Sequence, residues 1–278
     1  FFSFWKGAVG SVSTVRFLPD LDEDNPLTFL VENLAHELVV NGKREKVACL
    51  KMYGEECPIC NLSAKYYDEK DPEHNKDLGK KYYRKKSYIG QVLVLESPVE
   101  HDAEKLVKLI EFGPQVFNQI NAGFTSGDLE NPPYEFKGGH NFRIRKTKTG
   151  DGQNSYVTSS FSAKTTDVAD DVLEQIELYS LKTYRTHKTD KAQLEAMLIA
   201  DQTGAAVVPS DAADDETPAP VVAPAKVAPK VLMAADDDAP APAAAVAAPA
   251  APAKLSVVEQ LRARQAAKAA AAAAGTAE

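Results

Sequence analysis

Residues 141–148 read NFRIRKTK, and this stretch decides the fold class. Phe142 and Ile144 alternate with Arg143 and Arg145. That period of two puts apolar side chains on one face of a β-strand and cations on the other. The turn composition GDGQN follows at 150–154, and a second strand begins near Tyr156, so the pair reads as a hairpin. Further out, VRFLP at 15–19, LTFLVENL at 27–34 and QVLVL at 91–95 are short strands of the same kind. Many short strands with few helices suit a small barrel. The expected class is mainly β with α additions, built on an OB-fold barrel, the barrel that most often takes single strands of nucleic acid. Residues 103–110 lead into PQVFNQI at 114–120, a short helix starting at proline. Residues 170–184 carry Val172, Leu173, Ile176, Leu178 and Tyr179 at roughly helical spacing, and 190–200 reads as a second helical piece.

The 278 residues divide unevenly. Aromatic, aliphatic and charged residues mix up to about residue 203, which defines a core domain over 1–203. Residues 204–253 turn to Ala, Pro, Val and Asp, too little large apolar surface to offset ordering entropy, and are expected to be a disordered acidic linker. The end, 254–278, contains LSVVEQLRARQAAKAAAAAA and is read either as an Ala-rich helical tail that docks a partner protein or as bland composition drift. The formal charge of −8 argues against a nucleic-acid partner only if charge is evenly spread. It is not: acid concentrates at 167–171, 211–216 and 236–238, while 80–86 reads KKYYRKK. No apolar run reaches the ~18 residues of a spanning helix, and the aromatic start FFSFW has the wrong grammar for a signal peptide. The chain begins without Met, as a fragment boundary would.

Three cysteines would leave a disulfide framework unbalanced. Cys57-Pro58-Ile59-Cys60 is a C-x-x-C knuckle with Cys49 eight residues before it, and thiolates at that spacing converge on one metal. A fourth ligand is offered by His36, within an apolar stretch, or by His74, in the solvated DEKDPEHNKD; His36 is preferred. One structural zinc ion is expected, since three thiolates and an imidazole leave no open position for a catalytic water. The competing readings are buried core cysteines or a redox pair. The pair is disfavoured because the knuckle is not expected to open a helix after a buried strand.

Around these ligands Tyr53, Tyr66, Tyr67, Tyr82, Tyr83 and Tyr88 interleave with lysines and Arg84. Cations track a phosphate backbone while flat rings stack on unpaired bases. Tyr82 and Tyr83 are adjacent, so one of them is expected to be buried, and about four of the six tyrosines to face the ligand.

In chain order the residues then carry a resemblance. The Trp5 segment leads to VRFLP; His36 is followed by NGK at 41–43; then come Cys49 and CPIC, RKKSY at 84–88 with QVLVLESP, FGPQVFNQIN and FKGGHNFRIRK. This order, over roughly residues 5–200, resembles the single-stranded DNA-binding, helix-destabilising proteins of T-even-type bacteriophages, including the thirteen-residue interval from His to the first Cys. The resemblance implies an OB-fold core with a zinc subdomain of one His and three Cys, and a cleft lined by basic and aromatic residues. Arg84, Lys85, Lys86 and Ser87 match the family's basic run beside the DNA; Tyr67, Tyr83, Tyr88 and Tyr156 match its aromatic positions. Tyr53, Arg143, Arg145 and Lys146 complete the expected interface. The implied function is sequence-non-specific coating of single strands in phage DNA replication, recombination and repair, without enzymatic activity, in the cytoplasm of an infected bacterial host. Replisome and recombination proteins are implied as partners through the C-terminal tail, and self-association along DNA is left open because nothing here precedes Phe1, where family members carry a basic arm. The Cys49–Cys57 interval is shorter than the family's and the tail ends differently. The rival reading is a zinc-ribbon regulator of duplex DNA. A deaminase would need H-x-E upstream of its cysteine pair, which His36-Glu37-Leu38 does not supply.

Overall fold

The computed structural model describes residues 1–102 and 104–205. The linker and tail expected beyond residue 205 lie outside the described residues. The strands are β1 (Val12–Leu18), β2 (Leu30–Val40) and β3 (Lys43–Ala48), followed by helices α1 (Pro58–Tyr67) and α2 (Lys76–Tyr82). Then come β4 (Lys85–Glu96), β5 (Val107–Phe112), α3 (Pro114–Thr125), β6 (Gly139–Arg145), β7 (Thr147–Lys148), β8 (Asn154–Ser155) and β9 (Ser160–Thr166). Two helices close the described chain, α4 (Asp170–Leu173) and α5 (Lys191–Thr203). The architecture is mainly antiparallel sheet with helices. Its described residues divide into two compact units, residues 1–35 with 85–187, and residues 36–84 with 188–205.

In the first unit β4 is the organising strand. Its residues 85–90 pair with residues 30–35 of β2, and its residues 91–96 pair with β1. From Tyr88 to Leu93 its other edge is taken by β5, so β1 and β2 must succeed one another along a single edge. Beyond β1 lie β6 and then β9, with register shifts at Thr14/Val15 and at His140/Phe142. Such bulges bend strands and raise their twist. Phe17, Phe29, Val92, Phe112, Phe142 and Ile144 pack together in the core with Val116 and Ile120 of α3. Arg16 points inward from β1 with 2% exposure; it donates to the Asn141 side chain and to the Glu135 and Thr166 carbonyls, which joins β1 to the β6–β9 edge. A buried guanidinium is tolerable only when its donors are matched in this way.

The second unit holds residues 36–40 of β2, β3, α1, α2 and α5. Asn41 and Gly42 both take positive φ, 52° and 75°, the geometry of a two-residue hairpin turn between β2 and β3. Helix α5 packs on α1, and Leu38, Val40, Ile59, Leu194 and Met197 are buried.

Three expectations are corrected. Residues 170–184 are helical only over Asp170–Leu173, with a 3₁₀ turn at Leu181–Tyr184. The backbone between them is claimed from afar: the Tyr179 amide donates to the Gln91 side chain and the Leu181 amide to Asp20, while Ile176 and Leu178 reach the core without helical pitch. Residues 107–112, in the lead-in to α3, form a strand because β4 offers its free edge there. The hairpin after β6 closes through the short β7–β8 pair; Tyr156 follows β8, and β9 starts only at Ser160 and returns to β6. The helices starting at Pro114 and capped by Asp190 form as expected.

Candidate metal centre and nucleic-acid interface

The second unit brings four ligand-bearing residues together. His36 lies on β2, and Cys49 follows β3 directly, ahead of a 3₁₀ turn over Leu50–Tyr53. Gly54 closes that turn in the left-handed region (φ 76°), where a side chain would be strained, and lets the chain double back. Cys57 then caps α1, Pro58 opens it, and Cys60 sits in its first turn. The knuckle therefore does open a helix, contrary to the sequence expectation, because Pro58 is pre-set for the first helical position.

The His36 Nε2, Cys49 Sγ, Cys57 Sγ and Cys60 Sγ atoms all lie within 4.8 Å of one another. Individual separations are 3.4 Å for Cys49–Cys60, 3.4 Å for Cys57–His36 and 3.5 Å for Cys60–His36. A tetrahedron with metal–sulfur bonds of about 2.3 Å and a metal–nitrogen bond of about 2.0 Å has edges of roughly 3.5–3.8 Å. The arrangement fits one four-coordinate ion. The His36 Nδ1–H donates to the Tyr82 carbonyl at 2.9 Å, which fixes the tautomer and aims Nε2 at the sulfurs. His74, the alternative ligand, is outside this cluster.

The electrostatics agree. Burial opposes a charged His36, but hydrogen bonds to Cys49 and Cys57 outweigh it and hold the imidazole up to about 9 when no ion intervenes. Cys57 is held well below the ordinary thiol range by hydrogen bonds from Cys49 and Cys60, while Cys60 is pushed well above it by its hydrogen bonds with Cys49 and Cys57. Binding a cation at such a cluster would release protons from its ligands.

The same unit presents aromatic surface. Tyr53, Tyr67 and Tyr83 are 39%, 42% and 55% exposed. Tyr67 and Tyr83 meet edge to face at 6.2 Å, and Lys188 Nζ lies 5.7 Å from the centre of the Tyr53 ring. Tyr82 is buried and stacks on half-buried Tyr66, while its neighbour Tyr83 is exposed; the two part because Tyr82 ends helix α2 and Tyr83 is its extended C-cap, not by the strand alternation the sequence suggested. Arg84 ends the unit, half-buried.

In the first unit Lys85 and Lys86 are exposed at the start of β4, and Lys86 pairs with Glu32 at 2.6 Å. Nothing in the sequence pattern announces that partner, because strand register places it. Ser87 is half-buried and donates to Glu111 at 2.7 Å. Tyr88 corrects an expectation: its ring is 5% exposed, stacked face to face on Phe117 with centroids 3.8 Å apart. A ring so covered packs the core and has no face for a base. Arg143 and Arg145 stand exposed on β6 while Phe142 and Ile144 are buried, and neither guanidinium has a carboxylate partner among the described residues. Lys146 donates to the Trp5 carbonyl at 2.6 Å, and half-buried Tyr156 lies edge-on to Phe4 at 5.3 Å. No helix among the described residues is long and apolar enough to cross a membrane.

A family profile described as gp32 DNA binding protein like matches residues 10–200. The single-stranded DNA-binding protein of Enterobacteria phage T4 is 31% identical over 175 residues, covering 56% of this chain and 54% of the T4 protein. The single-stranded DNA-binding protein of Enterobacteria phage T2 is 31% identical over 175 residues, covering 56% of this chain and 53% of its own. The chain spans about half the length of these curated relatives.

Proposed function

Because the chain belongs to the gp32-like family of DNA-binding proteins, we propose that it binds and coats single-stranded DNA, without sequence preference, during phage DNA replication, recombination and repair. The observation that carries this reading is the pair of exposed rings, Tyr67 and Tyr83, followed along the chain by Arg84, Lys85 and Lys86. Base stacking on such rings contributes roughly 1–3 kcal/mol per base and tolerates any base. Lys85, Lys86, Arg143, Arg145 and Lys146 supply cations that displace counterions from the backbone, so affinity falls steeply with salt. Tyr53 and Tyr156 extend the aromatic set, and Ser87 fixes the strand beside it. Binding is stoichiometric and involves no catalysis.

The ion is zinc, held by His36, Cys49, Cys57 and Cys60, and its role is structural: four protein ligands close its shell, and it contributes folding energy to the knuckle. The curled sheet of the first unit is read as an OB-type core, residues 1–203 as the binding domain, and the acidic Ala/Pro segment 204–253 with the Ala-rich end 254–278 as an appendage for replisome partners. Self-association along the strand, in the host cytoplasm, completes the reading.

The test is a titration of tyrosine and Trp5 fluorescence with oligo-dT and with duplex of equal length, before and after zinc is stripped by a strong chelator. Quenching by the single strand alone, weakened on metal removal, is expected. Equal or tighter duplex binding would replace this reading with a zinc-ribbon reader of duplex DNA.

A further inference from the structure

Helix α5 lies far along the chain from the metal ligands, yet its Asp201 reaches their supports. The Asp201 side chain is fully covered, 0% exposed, and its carboxylate accepts three hydrogen bonds. Oδ1 takes the Val39 amide at 2.6 Å; Oδ2 takes Lys81 Nζ and the Tyr82 hydroxyl, each at 2.6 Å. Val39 is three residues beyond His36 on β2, and Tyr82 is the residue whose carbonyl holds the His36 Nδ1–H. One carboxylate thus grips both the strand that carries a ligand and the residue that aims its ring. At the opposite end of the helix Lys191 pairs with Glu56 at 3.3 Å, next to Cys57, and Lys188, just before the helix, pairs with Glu55. A covered carboxylate is stable only with its donors in place, so the three hydrogen bonds to Asp201 form or fail together.

We propose that Asp201 is a positioning residue of the metal centre: acting through Tyr82, it fixes the orientation of His36 and so sets how long the ion is retained. The proposal rests on the metal reading above. It also gives α5 a task that its place at the end of the core does not suggest, since the last described helix locks a ligand carried by the second strand. Partners that orient a ligating histidine typically change metal affinity by about 10–100-fold when removed, and Asp201 stands one contact behind such a partner.

The experiment uses the full zinc-loaded chain and follows metal release into excess colorimetric chelator, with cobalt-substituted protein providing the ligand-field spectrum. D201A should release zinc about tenfold faster than wild type and shift the cobalt bands, with D201N intermediate. Y82F should reproduce most of the effect, and D201A should add little on the Y82F background. E195A, an exposed change on the same helix, should leave both readouts unchanged. L194A, which removes a buried side chain from the same helix, should lower the melting temperature without moving the cobalt bands. Release from D201A within twofold of wild type overturns the proposal, as does a cobalt spectrum for L194A shifted like that of D201A. A wild-type chain that takes up no zinc overturns the metal reading and the positioning role together, whereas normal uptake with an indifferent D201A overturns the positioning role alone.

Discussion

Replacing Gly79 by Ala separates stability from binding. Gly79 lies buried in α2, and its carbonyl accepts from Ser63 Oγ at 2.8 Å. An added Cβ would stand 3.1 Å from three carbons of the Tyr67 ring, so that ring must retreat by a few tenths of an ångström. It can, because Tyr67 is 42% exposed and has solvent to move into. Ala in place of Gly in a helix interior stabilises by about 1 kcal/mol, and the tight contact takes back part of that. The net expectation is a melting temperature equal to or slightly above wild type. Binding moves the other way. The displaced ring loosens its edge contact with Tyr83, and losing about a third of one base-stacking interaction, ~0.3–1 kcal/mol, corresponds to a roughly 1.7- to fivefold weaker Kd for oligo-dT. Thermal melts and fluorescence titrations on the same preparations check both halves. A clear fall in melting temperature with unchanged Kd would refute the reasoning, because Tyr67 would then be a fixed packing residue and not a mobile part of the interface.

Arg143→Ala with Arg145→Ala removes two exposed cations from a strand whose Phe142 and Ile144 stay buried. Stability should change by less than about 0.5 kcal/mol, while the slope of log K against log salt for oligo-dT falls by about 0.7 per lost phosphate contact, ~1.4 in all. An unchanged slope would remove β6 from the interface. Tyr83→Ala and Tyr88→Ala should behave as opposites. The first leaves the melt near wild type and weakens binding by about 1–3 kcal/mol; the second, cutting a ring stacked on Phe117 out of the core, costs about 3–5 kcal/mol of stability by denaturant titration. Matching stability losses in the two variants would contradict the burial difference between them.

Much of the metal centre was legible because chain connectivity limits where close neighbours can go. Cys57 and Cys60 share one turn, Cys49 is a short loop away, and His36 was favoured over His74 by its apolar setting. What the pattern missed there was the helix: Pro58 after Cys57 is a helix-opening signal, and it makes the knuckle the first turn of α1. Tyr82 and Tyr83 part because the first ends helix α2 and the second caps it, whereas among the interface candidates alternation separated the arginines of β6 from its apolar residues. It did not separate Tyr88 from the exposed tyrosines, because aromatic composition is the same for a stacking platform and a core.

By itself the sequence determined what local covalent geometry dictates: the period-two strand at 141–145, the proline-started helix at 114, and three cysteines spaced to converge. The tertiary structure decided every feature whose partner arrives from a distance. Phe117 covers Tyr88, Glu32 pairs with Lys86, Gln91 and Asp20 claim the Tyr179 and Leu181 amides, and Asp201 reaches back to the residue that aims His36. The reason is physical: a side chain's periodicity tells which way it points, but what it meets there is set by strand register and by which segment of a folded chain returns to that place.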